Sequence, residues 1–236
     1  MAHVSPLKEL HLQAEASLLP YGPTDLQIDL VETFGELDFE YAAVRKACAL
    51  LDEPHRGTIE VVGDDRLSFL QSMITQGVAD LPAMKSRAAF WLNKKGRIVS
   101  DMRVIELGDR LLIDLDAPAA SETIESLGGF VIMEDVELRD ASDRLHRLSL
   151  HGPTSIELLA ASGAHKEGPS LGDLMPGSAC VVEIAGTEVV VERWDTAGVP
   201  GLGLTIETDS TRAVYERLIE LGQPHDGEDA SSVAGR

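Results

Sequence analysis

The sequence predicts an α+β fold in which antiparallel sheets carry helices on one face. Two observations carry this. From Thr58 the pattern runs strand, helix, several strands, helix, strand, an order that suits a sheet with helices layered against it. The turns Gly108-Asp109 and Ala185-Gly186-Thr187 are also too short to join anything but adjacent antiparallel strands.

Taken in order, Leu7, Leu10, Leu12, Leu18 and Leu19 suggest a first helix over 5–19, followed by a turn at Pro20–Pro23. Phe39, Ala42, Ala43, Ala47, Leu50 and Leu51 recur near helical spacing and predict an amphipathic helix over 37–51, broken by Glu53-Pro54-His55-Arg56-Gly57. Thr58–Val62 reads as a β-branched strand. Gly63-Asp64-Asp65 opens a helix through Met73, with acids at its positive end. Strands follow near 88–92, 98–106 and 110–115, then a helix over 118–127, Gly128-Gly129, and a strand over 131–139. The second half echoes this order: a strand at 146–150, a helix begun at Gly152-Pro153-Thr154, strands at 179–185, 187–193 and 202–207, then Asp209 as N-cap of a helix over 211–221. The polar tail 223–236 reads as disordered.

The chain has 236 residues, 44% of them hydrophobic, enough for one large core or two smaller ones. Forty acidic residues against 20 basic give a net charge of -20, which repels phosphate backbones and anionic membranes. Neither a nucleic acid nor a membrane is therefore an expected partner. Lys94, Lys95 and Arg97 form the best local site for an anion. Cys48 and Cys180 match no metal or redox spacing and read as buried, reduced thiols. No apolar run reaches the roughly 18–20 residues needed to span a bilayer, and the N-terminus lacks a signal-peptide core, so a cytoplasmic protein with no metal site is expected.

The segment 87–116 is the most informative. Two apolar runs flank the turn Asn93-Lys94-Lys95-Gly96, where Gly96 suits a positive φ. Asp101 sits inside the second run, between Val99 and Met102. A strand of this kind buries one face, and an acid there is costly unless it is paired or used by a ligand. Asp101 is thus the first candidate for chemistry; the alternative is an ion pair with Arg103 or Arg97. Phe90 and Trp91 alternate, so one packs in the core and the other faces solvent or a ligand; we assign Trp91 to the ligand.

Four blocks in order, H-R-G-T-I-E-V-V-G-D-D-R-L-S-F-L-Q-S-M-I-T-Q-G-V (55–78), F-W-L-N-K-K-G-R-I-V-S-D-M-R-V (90–104), L-L-I-D-L-D-A (111–117) and L-H-G-P-T-S (150–155), resemble the folate-binding superfamily. It contains the glycine-cleavage T-protein, an aminomethyltransferase, and the YgfZ-like proteins of iron–sulfur cluster maintenance. The opening S-P-L-K-E-L-H-L is similar to T-protein N-termini. The resemblance implies three parts around a central folate channel: a split part (1–55 with 143–222), a ferredoxin-like part (56–142) and a C-terminal β-barrel, for which this length leaves no room. It implies tetrahydrofolate as cofactor and Asp101 as the catalytic carboxylate, with Ser100 in place of the family's first acid. Asp116 matches a ligand-contacting position where the family usually has Asn; its alternative role is the N-cap of the next helix. Arg56 lies in a segment that leads into the channel, and Lys95 and Arg97 could meet a folate's glutamate tail. The pterin-holding acid of the family falls at Gly201, and the YgfZ-like K-G-C-Y-x-G-Q-E is absent. The leading expectation is a YgfZ-like tetrahydrofolate-binding protein that supports iron–sulfur cluster assembly or repair. The alternatives are an aminomethyltransferase and a scaffold that has lost its ligand. The expected protein partner is an iron–sulfur protein or a lipoyl carrier.

Overall fold

The computed structural model describes residues 3–196, 198–222 and 234–235. The chain begins with helix α1 (Lys8–Gln13), strands β1 (Ser17–Tyr21) and β2 (Ile28–Thr33), helix α2 (Leu37–Lys46) and strand β3 (Cys48–Asp52). Next come β4 (Arg56–Val62), α3 (Arg66–Met73), β5 (Lys85–Leu92), β6 (Ile98–Glu106), β7 (Leu111–Asp116), α4 (Ala117–Gly128) and β8 (Glu137–Asp140). The remainder is β9 (Leu145–His151), α5 (Ser155–Ser162), β10 (Gly163–Glu167), β11 (Ser178–Ile184), β12 (Thr187–Arg193), β13 (Gly201–Glu207), α6 (Thr211–Gly222) and the two-residue β14 (Ala234–Gly235). Mixed helices and mostly antiparallel strands make this an α+β protein. No helix among the described residues is long and apolar enough to cross a membrane.

The chain divides into two compact units, residues 1–54 with 146–236, and residues 55–145. In the first, β3, β9, β13, β12 and β11 are successive neighbours, β10 pairs with β11, and β1 and β2 form a separate hairpin. Its core gathers Leu50, Leu148, Leu150, Val189, Val191, Leu204 and Ile206 from the strands with Leu159, Val214 and Leu218 from α5 and α6. In the second unit the strand order is β5-β6-β7-β4-β8, every neighbour antiparallel. For a β-α-β-β-α-β chain this is the ferredoxin-like order with β5 added at one edge. Phe69 and Leu70 of α3 and Ala120 and Leu127 of α4 pack on Ile59, Val61, Met102, Val104, Ile113 and Leu115. Strand side chains alternate, so the odd positions of β4 and β7 and the even positions of β6 face the helices. On the other face Thr58, Ile105, Leu112 and Asp114 are buried as well, while Phe90 and Asp101 are exposed.

Several expected elements change. The helix over 5–19 stops at Gln13, and Glu15, at φ 58°, turns the chain into β1. The helix over 37–51 stops at Lys46, because Cys48–Asp52 pairs with β9 as a buried strand; a short apolar run does not distinguish strand from helix by periodicity. β2 and β10 were not anticipated. Of the strand over 131–139, only Glu137 onward is extended. Before it the chain turns, and the Glu134 carboxylate accepts hydrogen bonds from the Ile132 and Met133 amides (2.9 and 3.0 Å). Asp209 lies in a 3₁₀ turn, Thr208–Ser210, that feeds α6. Of the tail, 223–233 and 236 fall outside the described residues, and Ala234–Gly235 pairs parallel with β3.

Candidate functional site on the sheet face away from the helices of the second unit

The turn between β5 and β6 is built by Asn93, whose Oδ1 accepts hydrogen bonds from the Lys95 and Arg97 amides (2.9 and 3.1 Å), with Gly96 at φ 73°. Lys94, Lys95 and Arg97 are exposed at this tip. Where the strands begin to pair, Leu92 lies opposite Ile98 but Trp91 lies opposite Ser100, so Val99 is an extra residue on β6. This bulge resets which side chains face the helices. Trp91, Ser100 and Met102 turn inward, while Phe90 and Asp101 lie opposite each other on the other face.

The register orders that face. One residue beyond the Met102–Leu115 pair, Asp101 and Asp116 are the next positions on β6 and β7, and Asp116 lies opposite Arg56 of β4. Phe90, Asp101, Asp116 and Arg56 therefore form one line across four strands. The adjacent line is Ala88, Arg103, Asp114 and Thr58. Asp114 is only 2% exposed and is clamped from both sides. Arg56 donates from Nε to Oδ1 (3.0 Å) and from Nη2 to Oδ2 (2.9 Å). Arg103 donates from Nε and Nη2 to Oδ2 (2.9 and 2.5 Å). A carboxylate this buried stays ionised only with such partners.

This placement corrects three expectations. Asp101 is exposed, not buried; its burial was the reason for singling it out. Arg103, its suggested ion-pair partner, is committed to Asp114, and no hydrogen bond or salt bridge is seen for the Asp101 side chain among the described residues. Trp91 is buried, its indole N–H donating to Ser126 Oγ (2.8 Å) and its ring meeting Phe130 edge-on, so Phe90 is the aromatic residue beside Asp101. Arg56, Asp101 and Asp116 come together on one face, whereas Lys95 and Arg97 stand at the hairpin tip, Arg97 about 13 Å along the strand from Asp101. Asp116 stands at the start of α4, with Pro118 in its first turn, but its side chain makes no capping hydrogen bond. The Arg56–Asp114–Arg103 clamp escaped notice in the sequence. Its signal was there: Asp114 occupies the middle of L-L-I-D-L-D, a strand with no second acid at a core position.

In the first unit, the Asp52 side chain is 2% exposed. Ser5 Oγ donates to Oδ2 (2.5 Å), His11 Nε2 meets Oδ2 (2.9 Å) and His146 Nε2 meets Oδ1 (2.6 Å). Burial alone would raise the Asp52 carboxyl, but the hydrogen bonds from His11, His146 and Ser5 outweigh it and hold it well below the usual carboxylate range. Among the described residues no group of three or more His, Cys, Asp or Glu side chains is placed to hold a metal ion. At Gly201 a Cβ would meet the Trp194 carbonyl oxygen at 2.5 Å and His151 Nδ1 at 2.9 Å, so this position has no room for a side chain.

Residues 20–234 match the model of the GCVT N-terminal domain. The chain is 27% identical over 220 residues to an aminomethyltransferase of Geobacillus kaustophilus, covering 92% of this chain and 58% of that one. It is 26% identical over 227 residues to an aminomethyltransferase of Thermotoga maritima, covering 96% and 60%. Among solved structures, the glycine cleavage system aminomethyltransferase T of Bartonella henselae superposes with a TM-score of 0.78 at 22% identity, over 92% of this chain and 56% of that one. Heterotetrameric sarcosine oxidase of Corynebacterium sp. U-96 shares the fold at a TM-score of 0.57 and 20% identity. The chain thus spans about three fifths of the length of these curated relatives, and by the extent of the match it belongs to the GCVT N-terminal domain family.

Proposed function

We propose that the sheet face of the second unit turned away from its helices binds a tetrahydrofolate and that the chain is the folate-handling portion of an aminomethyltransferase. The observation that carries this is Asp101. It is an exposed carboxylate without a partner among the described residues, set beside an aromatic ring and in line with Asp116 and Arg56. The residues present suit a folate. Phe90 offers a flat apolar surface for an aromatic ring, and Asp101 accepts hydrogen bonds or stabilises positive charge on an amine. Arg56 and Arg103 lend the face positive charge that Asp114 holds in place.

A bound tetrahydrofolate supplies the amine nitrogens that take up the one-carbon unit. In the balanced reaction an aminomethyl group leaves a lipoyl sulfur, the carbon joins the folate, ammonia departs, and the sulfur is left as a thiol. Asp101 would orient the ligand's N–H groups and offset the positive charge that develops as the carbon–nitrogen bond to ammonia breaks. Lys95 and Arg97 at the hairpin tip would attract the ligand's carboxylates. The relatives carry the aminomethyltransferase name, so one-carbon transfer has more support than the iron–sulfur role expected from the sequence.

Saturation-transfer NMR with 5-formyltetrahydrofolate tests this reading. Transfer to the ligand is expected with the native chain and lost with Asp101→Ala and Phe90→Ala. Equal transfer in all three proteins would remove the ligand from this face.

A further inference from the structure

The first unit contains a pocket of about 320 Å³, formed by α2, β2, β3, His11 and Tyr215. This is the lower end of the roughly 300–1,000 Å³ of small-molecule sites. All its lining residues belong to this one unit, and none belongs to the sheet face proposed for folate. Its walls are apolar, with Val31, Phe34, Val44 and Leu50, and its mouth is open at Leu37 and Tyr41, the latter 69% exposed.

The polar groups of the pocket share one character. Its lining includes Glu32, Glu40 and Asp52 and neither Lys nor Arg. Glu40 Oε1 accepts from the Phe34 amide and Thr33 Oγ1 (2.7 and 2.8 Å), and Glu32 Oε2 accepts from Ser17 (2.9 Å); among the described residues the second oxygen of each carboxylate has no such bond. His11, 4% exposed, spends Nε2 on the ionised Asp52, which fixes a proton there. Its Nδ1 is buried and has no hydrogen-bond partner among the described residues. In the neutral ring that atom is an acceptor, and leaving a buried acceptor without a partner is unfavourable. The ring is held edge-on to Phe34 and Tyr215, at 5.9 and 5.8 Å between centroids, and both of these residues also line the pocket.

We infer that this pocket binds a small organic ammonium: an apolar body among Val31, Phe34 and Val44, with its positive charge opposite Glu32 and Glu40. Glu32 and Glu40, with neither Lys nor Arg in the lining, repel phosphates and carboxylates. The rings of Phe34, Tyr41 and Tyr215 suit a cation over their faces.

The test uses the whole chain and three probes that share an indole-ethyl body: tryptamine, the neutral alcohol tryptophol and the anion indole-3-propionate, each titrated by NMR. Saturable binding of tryptamine is expected, with indole-3-propionate about tenfold weaker or more and tryptophol between them. Val44→Trp, which fills the cavity, should abolish binding while the circular-dichroism spectrum is kept. Glu32→Gln, at an exposed position, should weaken tryptamine several-fold and leave tryptophol unchanged. If Val44→Trp fails to fold, Tyr41→Ala at the mouth replaces it and should weaken tryptamine several-fold. The inference is overturned if the anion binds as well as the amine, if no probe binds in the millimolar range, or if tryptamine binding survives the cavity-filling or mouth substitution.

Discussion

Asp114 and Asp101 are near neighbours on adjacent strands, and the structure assigns them opposite energetic roles. Asp114→Asn keeps the side-chain shape but replaces a carboxylate that receives four charge-assisted hydrogen bonds from two guanidinium groups. Asparagine would direct an NH₂ group at one of them. Arg56 and Arg103, with side chains 21% and 16% exposed, would lose their shared counter-charge. Breaking a buried pair by removing one member costs about 3–5 kcal/mol. At a urea dependence of about 1.5 kcal/mol per molar, the midpoint of the second unit falls by about 2–3 M. Asp101→Asn, at an exposed position without a partner, should change stability by less than about 0.5 kcal/mol. The chain has two tryptophans, one in each unit, so fluorescence of Trp91 in a Trp194→Phe background reports the second unit alone. Equal urea midpoints for the two Asp variants would refute the assignment of the clamp as the organising charge of this face.

Three further outcomes are expected. Because the folded-state Asp52 carboxyl is depressed, its contribution is present above the ordinary carboxylate value of 3.8 and is lost as pH falls below it; acid titration followed by Trp194 fluorescence should show a steep loss that Asp52→Asn flattens. Burial pushes the Cys48 thiol up to about 12 and the Cys180 thiol up to about 11. Neither should react with a chromogenic disulfide at pH 8 until the chain is unfolded, and native stability should decline above the ordinary thiol value of 9.0, where only the unfolded chain ionises. Gly203→Ala would bring a Cβ to 1.9 Å from Arg147 Nη2. That guanidinium is buried and tied to Glu53 (3.2 Å) and Glu192 (3.3 Å), so it cannot swing aside, and thermal denaturation should show a loss of about 2 kcal/mol or more.

The sequence is most legible where period and punctuation agree. β11 and β12 were readable because β-branched runs flank Ala-Gly-Thr, and α3 because Gly63-Asp64-Asp65 opens it. β3 was not, because Cys48, Ala49 and Leu50 are buried in succession and such a run carries no alternation. The site was half legible. Asp101 was chosen because it interrupts an apolar run, yet it alternates with Met102 and Val104, which face the helices, and so points to the other side. The same alternation puts Trp91 inside with Ala89 and leaves Phe90 beside Asp101. The Asp114 clamp and the Asp52 cluster depend on partners 11 to 94 residues away in the chain, distances at which local pattern carries no information.

The most direct test of the central claim is titration calorimetry of the native chain and of Asp101→Asn with tetrahydrofolate and 5-formyltetrahydrofolate. Saturable heat is expected with the native chain, and binding weakened about tenfold or more in the variant, the worth of one charge-assisted hydrogen bond, with urea midpoints unchanged. Identical affinity in the two proteins, or no heat with millimolar ligand, would contradict it.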